Sequence, residues 1–547
     1  MDPAPTAAGR LFARGGAPAI FLVALLARLA VLLPLHAHPL YGVPIVDAAS
    51  YADQARALAA GAPAGEALFW QPIFYPLWLS VVFRAFGPSL LAARMLQAVL
   101  GAAACVLVYF LTRRLGGRLT AVAAGLILAL YGPVIALEAD LLSEGWAVFW
   151  TALLLWLLQR AQTEPRPGTL AALGVAGGLA ALTRPTFLPF TLGAGLWLTA
   201  LRVRRYGWKA GLDTAGTLAM GLLAVLLPAA AFGRQHTGRF TAFPSSSGLN
   251  LYLGNNPRWI ETVSIRPGVE WMELIREPQR AGLSDIWDQS DYFRNKVAGY
   301  ARSQPGAFAA GLLQKAARFL CSREIPRNHD LYSLREAAPV LKPLLWKAGG
   351  FGFPFGLLLP LALLGLAARR RQLGAAWLFL LLYSPAVIAV FVSDRYRAPA
   401  VPALAVAAAL GLAWLWEQRA NRTRLAGALA ALAAAAALTS VARAYPEEQL
   451  AFEAERNWAA GQRLAAEGRP AEAEACLRRA TEIDPRMVDA WNSLGVLLEQ
   501  GGRRADAIDA YRRAVALDPS NEGPRFNLEA ARLPASGSSA PAAGPSP

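Results

Sequence analysis

Four carboxylates, Asp47, Glu138, Asp140 and Glu144, stand beside long apolar stretches. An ionised group there is expensive to bury and is kept for pairing, for a metal or for chemistry. Asp47 opens the run VDAASYADQARALAAG, in which Asp47, Tyr51, Gln54 and Leu58 share one helix face. An Asp at that position caps the helix or accepts a proton from an incoming nucleophile, and the two roles are compatible. Glu138-Ala139-Asp140 and Glu144 put three carboxylates in seven residues. The Glu138/Asp140 pair offers oxygen ligands to a hard divalent cation; the alternative is a solvated loop tip. Arginines occupy matching gaps. Arg184-Pro185 separates two apolar runs, and Ser393-Asp394-Arg395-Tyr396-Arg397 fills another gap. A guanidinium binds phosphate through two parallel hydrogen bonds; the alternative is a side chain that only snorkels to an interface.

The elements that must position these groups are apolar helices. The chain has 547 residues, of which 55% are hydrophobic and 16% charged. Globular chains average about 45–50% apolar and about 25% charged, so a polytopic membrane protein is expected. Candidate spans are Ala17–Leu35, Ser89–Leu111, Leu119–Leu137, Leu141–Leu158, Thr169–Leu182, Thr186–Leu201, Ala210–Ala231, Gly350–Ala368, Leu373–Val392, Ala398–Trp416 and Leu425–Val441. Basic residues fill every second gap: Arg113/Arg114/Arg118, Arg160/Arg166, Arg202/Arg204/Arg205/Lys209, Arg369/Arg370/Arg371 and Arg419/Arg422/Arg424. Short Lys/Arg-rich loops mark the cytoplasm. The N-terminus is then inside as an uncleaved signal anchor, and the acids lie outside. About eleven spans also put everything after Val441 outside, although one span more or fewer would reverse that.

The net charge of +16 is explained by those loops and gives no reason to invoke nucleic acid. The three cysteines form no CxxC, and His36, His38, His236 and His329 form no metal-binding motif. Two outer loops are long, about residues 36–88 and 232–349. The first includes the aromatic segment Phe69–Phe86, expected to lie in the interface as a helix.

After residue 445 the character changes. Asp484-Pro485 recurs as Asp518-Pro519 after 34 residues, and Gly461/Gly495, Leu464/Leu498 and Ala473/Ala507 keep the same offset. Trp491, Leu494, Gly495, Ala507, Tyr511 and Pro519 fit the tetratricopeptide pattern. The expected architecture is therefore all-α: a transmembrane domain over residues 1–445, a tetratricopeptide solenoid over 446–533 that offers a groove to a protein partner, and a disordered Pro/Ala/Ser tail over 534–547.

The transmembrane part resembles the GT-C glycosyltransferases, and within them the protein O-mannosyltransferase-like family that includes the lipid A aminoarabinose transferases. Asp47-Ala48-Ala49-Ser50-Tyr51, Gln71-Pro72-Ile73-Phe74-Tyr75-Pro76, Leu142-Ser143-Glu144, LAALTRPT ending at Thr186, GLNLYLGNNP (248–257) and RYRAPAVP (395–402) carry the resemblance in their order. It implies transfer of a sugar from a polyprenyl-phosphate donor to a protein or glycolipid acceptor, at the extracytoplasmic face of a bacterial inner membrane. Asp47 matches the family's first-loop catalytic aspartate. Many relatives follow it with a second acid. Here that residue is Ala48, so Glu138, Asp140 or Glu144 would supply the second acid, Glu144 as a catalytic group and Glu138 with Asp140 as ligands of any divalent metal ion. Arg184, Arg395 and Arg397 would bind the donor phosphate, and Tyr51, Asn255 and Asn256 the sugar or acceptor. Other readings are an O-antigen ligase or polymerase that moves a whole glycan, and a non-catalytic tetratricopeptide scaffold of the envelope. A transporter is disfavoured, because the polar residues sit at the outer edge and not at the midplane.

Overall fold

The computed structural model describes residues 7–266, 269–328, 330–441 and 443–533. His329 and the segment 534–547 lie outside the described residues. The chain forms two compact units, Met1–Leu450 and Ala451–Pro547.

The first unit is built from α1 (Ala7–Ala37), α2 (Val46–Ala59), α3 (Phe74–Phe86), α4 (Leu90–Ala129), α5 (Gly132–Glu138), α6 (Glu144–Thr163), α7 (Pro167–Thr183), α8 (Leu188–Thr237), α9 (Pro305–Leu320), α10 (Phe355–Ala368), α11 (Gly374–Ile388), α12 (Asp394–Arg397), α13 (Val401–Glu417) and α14 (Arg422–Thr439), with further helices between, among them Val269–Arg280 and Ile286–Ser303. Among the described residues the strands are limited to one hairpin, β1 (Trp346–Ala348) and β2 (Phe351–Phe353). Among the described residues four segments are long and apolar enough to cross a membrane: Gly16–Ala37, Leu90–Ala129, Pro185–Thr237 and Asp394–Ala420. The middle two each contain a glycine with positive φ, Gly117 at 77° and Gly207 at 82°. Both fall in basic gaps, so each long element is two apolar helices joined at a turn that a residue with a Cβ adopts poorly.

Two expected boundaries move. The stretch Leu119–Leu137 breaks after Ala129 into the short α5. Pro133 has no N–H to continue the helix, and a Cβ on Gly132 would come within 2.4 Å of the Leu344 carbonyl oxygen. The interfacial helix expected over Phe69–Phe86 begins only at Phe74, after a separate 3-10 turn at Glu66–Phe69. Pro72 disfavours helical backbone at Gln71, which leaves that side chain free of the helix.

A buried ion pair ties α1 to α5. Arg28 Nε lies 2.6 Å from Glu138 Oε2, with both side chains 1% exposed. Gly101 on α4 makes the room, since a Cβ there would sit 2.4 Å from both groups. Next to it, Gln97 donates to the carbonyl oxygens of Glu138 (2.9 Å) and Asp140 (2.7 Å), and Tyr75 donates to Gln97. The loop that leads to Glu144 is thus held from α1, α3 and α4.

The second unit contains α15 (Phe452–Ala466), α16 (Pro470–Ile483), α17 (Val488–Gln500), α18 (Arg504–Leu517) and α19 (Glu522–Arg532). Gly461 faces Leu477 and Gly495 faces Tyr511 so closely that a Cβ would meet them at 2.7 and 2.5 Å. These are the small positions of the 34-residue period, and they set the approach of each helix pair.

Removing one member of a buried pair strands the other charge, at a cost of about 3–5 kcal/mol, whereas replacing both with apolar groups is close to neutral. Glu138→Leu should therefore lower the thermal midpoint of the detergent-solubilised protein, followed by tryptophan fluorescence. Arg28→Met/Glu138→Leu should recover most of the loss. A double variant no more stable than the single one would show that the ion pair itself holds the loop.

Candidate active site

Asp47 stands in the first turn of α2, next to Val46, which is held at φ 50°. A β-branched residue in that region is strained, and such strain collects at functional sites. The Asp47 carboxylate faces a cavity of about 370 Å³. Its Oδ1 accepts a hydrogen bond from Gln71 Nε2 at 2.9 Å. Its Oδ2 accepts from Asn328 Nδ2 at 2.9 Å and from Arg395 Nη1 at 2.7 Å. Arg395 also donates through Nε to Glu144 Oε1, and Arg184 Nη2 donates to the same oxygen at 2.5 Å. Arg184 lies over the Tyr396 ring, 4.7 Å from its centre. The result is a continuous charge chain, Asp47–Arg395–Glu144–Arg184, drawn from α2, α12, the start of α6 and the end of α7. Its inner acid is sealed, with the Glu144 side chain 1% exposed, while Asp47 keeps 30% exposure toward the cavity.

Four arginines line the cavity, Arg184, Arg266, Arg327 and Arg395, against one carboxylate, Asp47. Arg266 donates to the carbonyl oxygens of Arg327 and Asn328 and so fixes the backbone that presents Asn328 to Asp47. Burial, and then the like charge of Arg266, pull Arg327 down to about 10. The lowering marks a place where positive charge is under-compensated. At Asp47, burial alone would raise the carboxyl. The charge and hydrogen bond of Arg395, the Asn328 hydrogen bond and the charge of Arg327 outweigh it and hold Asp47 below its ordinary value of 3.8. Tyr51 lines the cavity as a neutral phenol, its ionisation pushed far up by burial and then by the Asp47 charge.

The structure brings together Asp47, Glu144, Arg184, Arg395 and Tyr51. It corrects the expectation for Arg397. Two residues beyond Arg395 on a helical turn, Arg397 points away from the cavity. It is bonded to Glu324 Oε2 at 2.6 Å and Arg323 O at 3.0 Å, and lies over the Phe355 ring at 3.7 Å. Asn255 and Asn256 do not reach the cavity either. Asn255 donates to Leu251 O and Ala389 O, both at 2.8 Å, and accepts from Lys315 Nζ at 2.8 Å. Asn256 donates to Tyr252 O and Thr262 Oγ1, both at 2.8 Å. Both asparagines brace the loop, because short amide side chains readily satisfy nearby backbone groups. The cation pair also fails to form. Glu138 is committed to Arg28, and Asp140 Oδ1 accepts the Leu141 N–H at 2.8 Å. Among the described residues no group of three His, Cys, Asp or Glu side chains gathers. Gln71, Asn328, Arg327 and Arg266 are the additions that sequence reasoning lacked. Gln71 lay in a quoted motif without a role, and the other three lie in the long loop, where no periodicity marks them.

Beside the charge chain, aromatic rings from α3 and α6 form a wall. Phe74 meets Trp146 edge-on at 5.0 Å, and Trp146 stacks on Trp150 at 5.2 Å.

Residues 70–231 match the family described as dolichyl-phosphate-mannose-protein mannosyltransferase. The mannosyltransferase match starts one residue before Gln71 and takes in Glu144 and Arg184. Residues 459–522 match the tetratricopeptide repeat family. The expected likeness to the protein mannosyltransferases is thus found over residues 70–231, and that to tetratricopeptide repeats over residues 459–522. Among solved structures, ArnT from Cupriavidus metallidurans bound to undecaprenyl phosphate is 16% identical and covers 94% of this chain and 76% of its own, with a TM-score of 0.42. The archaeal oligosaccharyltransferase AglB from Archaeoglobus fulgidus, in complex with an inhibitory peptide and a dolichol-phosphate, is 15% identical over 79% of this chain, with a TM-score of 0.37. The chain spans 56% of that protein's length. Of curated proteins, the peroxisomal targeting signal receptor of Kluyveromyces lactis is 43% identical over 53 residues, 10% of this chain and 9% of that protein. Small glutamine-rich tetratricopeptide repeat-containing protein 2 of Mycosarcoma maydis is 39% identical over 62 residues, 11% and 18%.

The two arginine classes should separate in stability measurements. Arg397→Gln leaves Glu324 buried without its cation and should destabilise by about 3–5 kcal/mol. Arg327→Gln gives up a hydrogen bond to the Val263 carbonyl but strands no buried carboxylate and relieves a like-charge contact, so it should change the unfolding midpoint far less. Equal losses would contradict the division between bracing and cavity arginines.

Proposed function

We propose that the protein is an inverting glycosyltransferase that moves a sugar from a polyprenyl-phosphate donor onto a hydroxyl or amine acceptor, with Asp47 as the base. The observation that carries this is the ionised Asp47 carboxylate at a cavity whose other charged lining residues are four arginines. A carboxylate has about four lone-pair directions, and Gln71, Asn328 and Arg395 fill three of them. The fourth, on Oδ1, remains for the acceptor's proton. The acceptor oxygen or nitrogen forms its bond to the anomeric carbon as the carbon–oxygen bond to phosphate breaks. The bonding pair leaves on the phosphate oxygen, and the acceptor proton passes to Asp47. Arg184 and Arg327 stabilise the charge that grows on the phosphate. Tyr51 donates to the sugar or acceptor, and the wall of Phe74, Trp146 and Trp150 borders the isoprenoid.

Glu144 is a positioning residue in this scheme. One of its oxygens is shared by two guanidiniums, which sets the distance between the phosphate side and the base side. It answers the absence of an acid at position 48: no second carboxylate is asked to take a proton. No step runs through a metal ion, since Glu138 and Asp140 are engaged elsewhere. The cavity's size suits one sugar phosphate better than a whole glycan.

The end of the first unit supports the proposed orientation. Glu447 pairs with Arg318 at 2.6 Å, Glu448 with Arg323 at 2.7 Å, and Tyr445 packs against both arginines. The segment they grip continues into Arg327 and Asn328. The chain therefore leaves the transmembrane unit on the face that carries Asp47, which supports an extracytoplasmic tetratricopeptide region that receives a protein partner. A bacterial inner membrane is the proposed location of both, in keeping with the resemblance.

The test is mass spectrometry of the reconstituted protein incubated with a panel of polyprenyl-phosphate sugars. Wild type should consume one donor, and Asp47→Asn should do so at least ~10²-fold more slowly. Equal consumption by both would remove Asp47 from the mechanism, and no consumption of any donor by folded wild type would favour the scaffold.

A further inference from the structure

A second cavity, of about 290 Å³, lies at the far ends of the helices that build the first. On α6, Glu144 serves the charge chain and Gln159 lines the second cavity, about 22 Å further along at 1.5 Å per residue. On α11, Val387 lines the first cavity and Ala375 the second. The run from α12 into α13 does the same with Arg395 and Val406. The two cavities therefore sit at opposite ends of the same helices.

The chemistry of the second cavity is distinct. Leu111, Leu155 and Val406 give it an apolar floor, and Arg114 and Arg371 stand at its rim. Both arginines are exposed and come from basic gaps, and neither has a carboxylate partner among the described residues. Those two gaps contain no acid, and acids of two neighbouring basic gaps are taken: Glu164 lies 3.5 Å from Arg166, and Glu417 is paired with Arg369. Between floor and rim, Gln159 and Gln162 occupy successive turns of α6. Gln159 Oε1 and Gln162 Nε2 are shut off from solvent with no hydrogen-bond partner among the described residues. A buried amide oxygen asks for an O–H or N–H donor, which on an anionic lipid headgroup is a hydroxyl, and a buried amide N–H₂ asks for an acceptor such as a phosphate oxygen; an unmet one is unfavourable.

We infer that this cavity binds a phosphate ester with a neighbouring hydroxyl, namely the headgroup of an anionic phospholipid such as phosphatidylglycerol, on the face of the protein opposite Asp47. The two arginines bind the phosphodiester, Gln162 donates to one of its oxygens, Gln159 accepts from the headgroup hydroxyl, and the apolar floor takes the start of the acyl chains. Basic cavities between helix ends at the cytoplasmic surface suit such headgroups. The proposal does not depend on the transfer reaction, and its test reads binding alone.

The experiment is native mass spectrometry and thermal unfolding of the full-length protein in detergent. The probes are phosphatidylglycerol, phosphatidylcholine and inorganic phosphate, added separately. Wild type should retain phosphatidylglycerol adducts and gain stability from that lipid but not from phosphatidylcholine. Arg114→Gln/Arg371→Gln, at exposed positions that do not threaten folding, should weaken the adduct about thirtyfold. Gln159→Leu/Gln162→Leu should abolish the preference for phosphatidylglycerol over phosphatidylcholine. Protection by inorganic phosphate that is lost in the arginine variant would keep the phosphate site and make its source soluble. Equal protection by phosphatidylglycerol and phosphatidylcholine, or protection unchanged in both double variants, would overturn the proposal.

Discussion

The site depends on one shared oxygen. Glu144 Oε1 receives hydrogen bonds from both Arg184 and Arg395 in a setting that excludes solvent. A buried carboxylate is strongly unfavourable unless cations and hydrogen bonds surround it, and two buried guanidiniums are equally unfavourable without an anion. Each group makes the others tolerable. The arrangement has little freedom to slide, because any displacement uncovers a charge in a region where charges interact strongly. Asp47 then completes Arg395 from the cavity side, and its ionisation follows from its position in that chain and not from exposure.

The remainder of the first unit can be seen as supports for this oxygen. The start of α6 is held because the preceding loop is anchored on Gln97, beside the Arg28–Glu138 pair, for which Gly101 leaves space. Asn328 reaches Asp47 because Arg266 grips its backbone and because segment 318–323 is pinned by Glu447 and Glu448. Arg395 and Arg397, two residues apart, face opposite ways. One belongs to the cavity, and the other braces Glu324 and the carbonyls of residues 319–323.

The helical architecture was legible in the sequence because apolar stretches and alternating basic gaps are dense, redundant signals. Even the hairpin turns at Gly117 and Gly207 fell in gaps marked by arginines. The tetratricopeptide unit was legible from its period, since Gly461 and Gly495 are small for a reason that repeats. Asp47, Glu144, Arg184 and Arg395 stood out because charges next to apolar helices are rare. The partners of those charges were not legible. That Glu138 belongs to Arg28, 110 residues away, and Glu144 to Arg184 and Arg395 is tertiary information. Spacing along the chain favoured Glu138 with Asp140, and the fold separates them. Asn255 and Asn256 looked like sugar ligands, yet they spend their amides on nearby backbone. Asn328 and Arg327 carried no local mark at all.

The measurement that bears most directly on the central claim is the pH dependence of kcat/KM for wild type and Asn328→Ala. This quantity reports ionisations of the free enzyme. Asp47 is held below its ordinary value of 3.8 by partners that include Asn328, so the proposed reaction would depend on a carboxylate that protonates only at low pH. The wild-type acid limb should lie below the ordinary aspartate range. That limb should move upward in Asn328→Ala, because one stabilising hydrogen bond to the charged form is lost. A wild-type limb near neutrality, or a limb that does not move in Asn328→Ala, would contradict an ionised Asp47 as the base.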